Sequence, residues 1–208
     1  MTTVYIIRHS EPMRKLMGSY NTSDSDQLRN EKNILTPHGE ELALALSKRE
    51  ELQNIDVLYS SNYARTMATA KYIAFNNEIE MNVDERLGER KFGHDSTTIP
   101  GDFFKKQWQD MDYKYPDGES LNETKKRITE CIDEIISNNK GKTICIVSHG
   151  TALSTYFLNY FDFTGADSDQ LHFNYNGEEI FDGWWNAPHM FKFEFDDNNN
   201  LMEFKNIG

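Results

Sequence analysis

Arginine and histidine stand side by side at Arg8 and His9, where the apolar run "TVYIIRH" ends. A second arginine, Arg65, follows "IDVLYSSNYA", and a second histidine, His149, closes "KTICIVSH" just before Gly150. Taken singly, an arginine at a strand end is most often a surface ion-pair partner, and a histidine there a satisfied edge residue. Together, two guanidinium groups and two imidazoles make a pocket for a dianion, and phosphate fits the forked donors of arginine well. For the four to meet, the runs that carry them must lie side by side and point the same way.

Those runs, residues 3–9, 55–61 and 142–149, are short, β-branched and almost continuously apolar. Parallel strands covered on both faces have that composition. Helical patterns lie between them. "LTPHGEELALALSKRE" offers Thr36 as N-cap and Pro37 at the first helical position, with Leu42, Ala45 and Leu46 along one stripe. "SLNETKKRITECIDEIISNN" pairs Ser120 with Glu123 in a capping box and repeats Ile128, Cys131, Ile132, Ile135 and Ile136 at helical spacing. A third helix is expected to begin near Tyr63. Strand and helix in alternation imply βαβ crossovers, hence an α/β fold: a three-layer α/β/α sandwich with a mainly parallel central sheet. "MFKFEFDD" followed by "NNNLMEFKN" reads as a C-terminal β-hairpin. Residues 92–119 fit the alternation poorly and are expected as a helical insertion over the edge of the sheet that carries the site; residues 161–188 are expected to be irregular. Ligands of open parallel sheets bind beyond the carboxyl ends of the strands, where Arg8, His9, Arg65 and His149 all fall. Helix N-termini near Tyr63 and Gly150 would add N–H donors there.

The 208 residues suffice for a single domain, 1–208, with a real core, and no repeat period runs through them. A formal net charge of −12 disfavours nucleic acid or an anionic membrane as partner, since both reward clustered Lys and Arg. No run is long enough for a membrane span or a signal-peptide core, so a cytoplasmic home is expected. Cys131 and Cys145 sit inside apolar patterns, as reduced core residues rather than a disulfide or metal pair. His38, His94, His172 and His189 lack ligand spacing, and the chemistry requires neither metal nor cofactor. The expected partner is a small phosphorylated substrate; the sequence fixes no oligomeric state.

In order along the chain, "IIRHSEP", "LTPHGEELA", "IDVLYSSNYARTMATA", "RLGERKFG", "PDGESLNE" and "IVSHGT" resemble the histidine phosphatase superfamily, also called phosphoglycerate mutase-like. The resemblance covers roughly residues 4–155, with a family-like hairpin after Pro188. It implies that His9 is the nucleophile that takes the phosphoryl group on a ring nitrogen. It also implies that Arg8, Arg65 and His149 clamp the phosphoryl oxygens and that Glu89 protonates the leaving group. Cations around His9 would keep its ring neutral and stabilise the charge of the transition state. Water would then attack the phosphohistidine. Glu89 has a competing role as ion-pair partner of Arg86 or Arg90, and His94 lies close enough in sequence to touch substrate. Where the family usually has glycine after the nucleophile, this chain has Ser10, expected to narrow the pocket or to offer phosphate a hydrogen bond.

The expected activity is therefore that of a phosphomonoester hydrolase acting through phosphohistidine. Phosphoglycerate mutase-type transfer is the alternative, and a phospho-ligand binding protein the non-enzyme one. Against the mutase, the segment after Glu89 is short, and beyond Lys91 it holds only Lys105 and Lys106 as cations for a second anion. Against the binder, both histidines and both arginines are in place. Phe103, Phe104, Trp108, Tyr113, Tyr115, Trp184 and Trp185 fall in the two atypical segments. They would either grip an apolar leaving group or pack as a small core of their own.

Overall fold

The run that ends at His9 forms strand β1, Thr2–Arg8. Val4 and Ile6 point to one side and Tyr5 and Ile7 to the other, and all four are buried, so both faces of the strand must be covered. A computed structural model describes residues 1–13, 24–93, 99–167, 170–183 and 185–208, and shows how that happens. The elements follow in the order α1 (Asp26–Lys32), α2 (Pro37–Ser47), β2 (Val57–Ser60), α3 (Ala64–Asn77), β3 (Met81–Val83), α4 (Phe103–Gln109) and α5 (Leu121–Asn138). After these come β4 (Thr143–Ser148), α6 (Gly150–Phe157), β5 (Asp162–Asp167), β6 (Gln170–Tyr175), β7 (Glu178–Asp182), β8 (His189–Phe195) and β9 (Leu201–Asn206).

Six strands make the central sheet in the order β3-β2-β4-β1-β8-β9. The first four are parallel, and the β8–β9 hairpin is added antiparallel to β1. Val4, Ile6, Ile144 and Ile146 pack with Ile128, Ile132, Leu153 and Phe157 of α5 and α6. Tyr5, Ile7, Cys145 and Val147 pack on the opposite face with Leu46, Ala70 and Ile73 of α2 and α3. This is the expected α/β/α sandwich with its C-terminal hairpin.

The capping box of α5 is formed as expected. Ser120 Oγ accepts from the Glu123 N–H at 3.1 Å, and the Glu123 carboxylate accepts from the Ser120 N–H at 2.9 Å. Every apolar residue of its expected stripe is buried. Ser120→Ala is expected to cost about 1 kcal/mol of stability, read as a lowered urea midpoint at unchanged slope, and Ser120→Thr to restore most of it.

Other expectations need correction. In α2 the buried face is Gly39, Ala43, Leu46 and Ser47, while Ala45 is exposed and Leu42 only half-buried. The helix rotates because Gly39 sits against the Glu11 carbonyl, so closely that a Cβ there would fall 2.3 Å from that oxygen. The segment expected to be irregular carries a second, three-stranded antiparallel sheet, β5-β6-β7. Leu171 and Phe173 alternate inward from β6 and join Phe181 against the α6 side of the core, a period-2 signal hidden by glycines and a register shift. Within 92–119, the described residues hold one short helix, α4. The short elements α1 and β3 carry too few apolar residues to show a period. Both cysteines are free and buried, with burial pushing the Cys131 thiol up to about 12. Among the described residues no helix is long and apolar enough to cross a membrane.

Candidate active site

Parallel register places Arg8 opposite Ser148, so His9 and His149 leave their strands side by side with ring centroids 5.2 Å apart. Arg65 reaches both from the first turn of α3. Its Nε donates to His9 Nε2 at 3.0 Å, its Nη2 to His149 Nδ1 at 3.1 Å and its Nη1 to the Asn30 carbonyl at 2.7 Å. A guanidinium cannot accept a hydrogen bond, so these contacts assign lone pairs to His9 Nε2 and His149 Nδ1. The other nitrogen of each ring then carries the proton. His9 Nδ1 donates to the Ser10 carbonyl at 2.7 Å, and His149 Nε2 to Ser61 Oγ at 2.8 Å. From Ser61 the chain continues to Thr66 Oγ1, which donates to the Tyr63 carbonyl. Burial holds His149 well below the usual histidine range, and the Arg65 charge pushes the same way, which agrees with a neutral ring. His9 thus presents an uncharged ring with its Nε2 lone pair toward Arg65, the state a nucleophile needs.

A cleft of about 630 Å³ opens over this edge, with Arg8, His9, Arg65 and Glu89 among its walls. Arg8 lies between the sheet and the segment before β8, its Nη1 donating to the carbonyls of Trp185 and Asn186. His149 is fully buried and stands behind Arg65 rather than in the cleft wall. Glu89 is fixed at the N-terminus of α6. Its Oε1 accepts from the N–H groups of Ala152 at 3.0 Å and Arg90 at 2.9 Å, and its Oε2 accepts one longer bond, 3.3 Å, from Thr151. The loop that carries it is held by Arg127, which donates to the carbonyls of Arg86 and Gly88 while forking onto both oxygens of Glu119. Gly93 closes the same loop at φ 78°, where a Cβ would fall 1.9 Å from the Gly118 nitrogen.

Among the described residues the competing ion pairs for Glu89 are not formed: Arg86 bonds Asp84 and Glu134, and the side chain of Arg90 bonds Gln107. Glu119 is taken by Arg127, and Glu11 by Thr36 and His38, so among the described residues Glu89 is the carboxylate that faces the nucleophile's cleft. Ser10 corrects an expectation. It is fully buried, and its hydroxyl donates to the Gly39 carbonyl at 2.7 Å, away from the cleft. The backbone after β1 turns toward α2, so the side chain fastens that turn instead of meeting phosphate. His94 and Trp184 lie outside the described residues. The remaining aromatic residues divide: Phe104, Trp108 and Trp185 line the cleft, whereas Phe103 packs on Tyr115 and Tyr113 with centroids 5.1 and 5.7 Å away.

Three contributors carried no sequence signal. Asn30 acts through a backbone carbonyl, Ser61 through a hydroxyl in a run of small polar residues, and Arg90 through burial that its neighbour Arg86 does not share.

Known proteins resemble this chain at both levels. A probable phosphoglycerate mutase GpmB of Serratia proteamaculans is 33% identical over 165 residues, spanning 74% of this chain and 72% of that protein. Among solved structures, YhfR of Bacillus stearothermophilus superposes with a TM-score of 0.70 at 24% identity, covering 97% of this chain and 95% of its own. A phosphoserine phosphatase of Entamoeba histolytica gives 0.65 at 23% identity, covering 99% and 97%. A mycobacterial glucosyl-3-phosphoglycerate phosphatase gives 0.71 at 14%, covering 99% of each chain. These structural likenesses show a shared fold. The sequence pattern of one family spans residues 4–182, from β1 through β7, and with it the chain belongs to the histidine phosphatase superfamily, branch 1.

Proposed function

We propose that the protein hydrolyses phosphomonoesters through a covalent phosphohistidine on His9. One observation carries the proposal: Arg65 is bonded at once to the Nε2 lone pair of His9 and to neutral His149, in the cleft that also holds Glu89. In the first step Nε2 attacks phosphorus and the ester P–O bond breaks. The departing oxygen takes a proton from Glu89, through Oε2, the oxygen with the weaker hydrogen bonding. As Nε2 engages phosphorus, the Arg65 Nε–H keeps its proton and redirects its hydrogen bond from the ring to a phosphoryl oxygen, and Arg8 meets a second oxygen. His149 keeps the Arg65 fork in place from behind. In the second step water attacks phosphorus, gives its proton to Glu89, and the P–N bond breaks to release phosphate and neutral His9. Charge stabilisation by the fixed guanidinium groups is the largest expected term.

Hydrolysis is favoured over group return because the segment above the cleft is slight. Among its described residues, the helix α4 carries Lys105 and Lys106 on the exposed side, with Lys106 paired to Asp102, which is thin provision for the second anion of a sugar acid phosphate. The mutase alternative rests on the GpmB relatives. Purified protein is expected to release phosphate from phenyl phosphate in buffer containing a chelator. With 3-phosphoglycerate and a bisphosphoglycerate primer, phosphate release should outpace formation of 2-phosphoglycerate. Interconversion at least tenfold faster than release would replace hydrolysis with transfer.

A further inference from the structure

His189 is buried, 4% exposed, and hydrolysis as proposed makes no use of it. It opens β8 directly across the antiparallel ladder from Arg8, and opposite residues of such a pair share one face of the sheet. Its ring stacks on Phe191 with centroids 4.6 Å apart and makes T-shaped contacts with Phe181 and Trp185 at 5.7 and 5.6 Å. An apolar side chain would suit such surroundings. What an imidazole adds is two polar atoms at fixed positions.

Both ring nitrogens are used, and their partners assign the tautomer. The Asn186 N–H can only donate, and it meets Nδ1 at 3.2 Å, so Nδ1 carries a lone pair. Nε2 then bears the proton and donates to Asn206 Oδ1 at 2.8 Å. The Asn206 amide is itself oriented, because its Nδ2 donates to the Ile180 carbonyl at 3.1 Å and its Oδ1 also accepts from the Gly208 N–H at 3.2 Å. The ring is thus held from β9 and presents one acceptor to the segment before β8.

That segment is what holds Arg8, whose Nη1 donates to the carbonyls of Trp185 and Asn186. Trp185 is anchored by its own side chain, with Nε1 donating to Ser154 Oγ at 2.9 Å. Asn186 is exposed, so burial does not fix its backbone; the bond from its N–H to His189 does. Arg8 lines the cleft and His189 does not, so an influence of the ring on phosphate passes through the guanidinium.

Resting on the assignment of Arg8 to a phosphoryl oxygen, we propose that His189 is a positioning residue for phosphate binding. Its unprotonated Nδ1 fixes the Asn186 backbone, and the fixed carbonyls hold the Arg8 guanidinium where it meets phosphate.

Two substitutions separate this role from packing alone. Asparagine places Oδ1 near the position of Nδ1, which keeps the acceptor for Asn186 but leaves space unfilled and gives up the bond to Asn206. Glutamine places its amide near Nε2, which keeps volume and the Asn206 bond but gives up the acceptor. The readouts are the dissociation constant of inorganic phosphate by calorimetry and KM for phenyl phosphate, with the urea midpoint as a record of stability. His189→Gln should raise both constants by about 5- to 20-fold, the worth of about one hydrogen bond, and His189→Asn by less than about threefold. In an Arg8→Met background the two variants should bind phosphate alike, because a residue that acts through Arg8 then has nothing to act on. Packing alone would rank glutamine at or above asparagine in stability and in phosphate affinity together. That ranking, or a difference between the variants that persists without Arg8, would overturn the inference. If neither variant folds, the ring-nitrogen resonances of His189 in wild type should report the Nε2–H tautomer at neutral pH, and phosphate should shift Nδ1 and the Asn186 amide proton together. An Nδ1–H tautomer, or resonances that phosphate leaves unmoved, would likewise overturn it. In each of these cases phenyl phosphate hydrolysis through His9 would still stand, whereas absence of any phosphate release by wild type would mark failure of the hydrolase proposal itself.

Discussion

His9→Ala is expected to lower phosphate release by at least about 10⁴-fold while the protein stays folded. The reason is that both rings accept from Arg65 but only His9 is also in the wall of the cleft, whereas His149 is fully buried behind the guanidinium. Removing the ring leaves the Ser10 carbonyl without its donor and Arg65 Nε without its acceptor, which costs about 1–2 kcal/mol. Arg65 keeps its bonds to Asn30 and His149, and β1 keeps its ladder to β4, so the domain holds. Two measurements check this. Unfolding in urea should remain cooperative, and wild type quenched during turnover should carry phosphate that is labile to acid and stable to alkali, absent from the variant. A folded variant with near-normal turnover would remove His9 from the nucleophile's role.

Glu89→Gln is expected to slow alkyl phosphates by about 10²- to 10⁴-fold, yet to slow aryl phosphates with a good leaving group by less than about tenfold. An alkoxide leaves poorly without a proton; a nitrophenolate needs none. The substitution keeps an amide oxygen for the N–H groups of Arg90 and Ala152, so the first turn of α6 stays anchored and the loss isolates the proton. Measuring kcat/KM across a series of leaving groups should show a much steeper dependence on leaving-group basicity in the variant. Equal losses for alkyl and aryl substrates would make Glu89 a positioning residue that orders the α6 N-terminus. Neither alternative carboxylate has the geometry to replace it, since Glu119 is forked by Arg127 and Glu11 is bound to Thr36 beyond the cleft's walls.

Local periodicity and order along the chain, by themselves, determined the three central strands, the cap and buried stripe of α5, the C-terminal hairpin, and the meeting of Arg8, His9, Arg65 and His149 at one sheet edge, whereas Glu89 is reached only through the family resemblance of "RLGERKFG". Each of these is written in a few neighbouring residues: an apolar run that stops on a charge, a Ser-x-x-Glu cap, a repeat at helical spacing. The parallel direction of the strands then follows from the helices between them, and with it the meeting of their ends. What only the tertiary structure decided is where side chains of ambiguous type point. Ser10 turns to Gly39 because the chain leaving β1 runs along α2, which no local pattern records. The strands β5–β7 form because Leu171, Phe173 and Phe181 find the aromatic side of the core, although their alternation is broken in sequence. Arg86 and Arg90 sit four positions apart in one loop, and the first is half-buried between two carboxylates while the second lies under three phenylalanine rings. Two of those rings, Phe103 and Phe104, come from α4, across a gap in sequence that no short-range period spans. Burial of a charge is set by what the distant chain brings over it, so the difference between these two arginines exists only in the folded molecule.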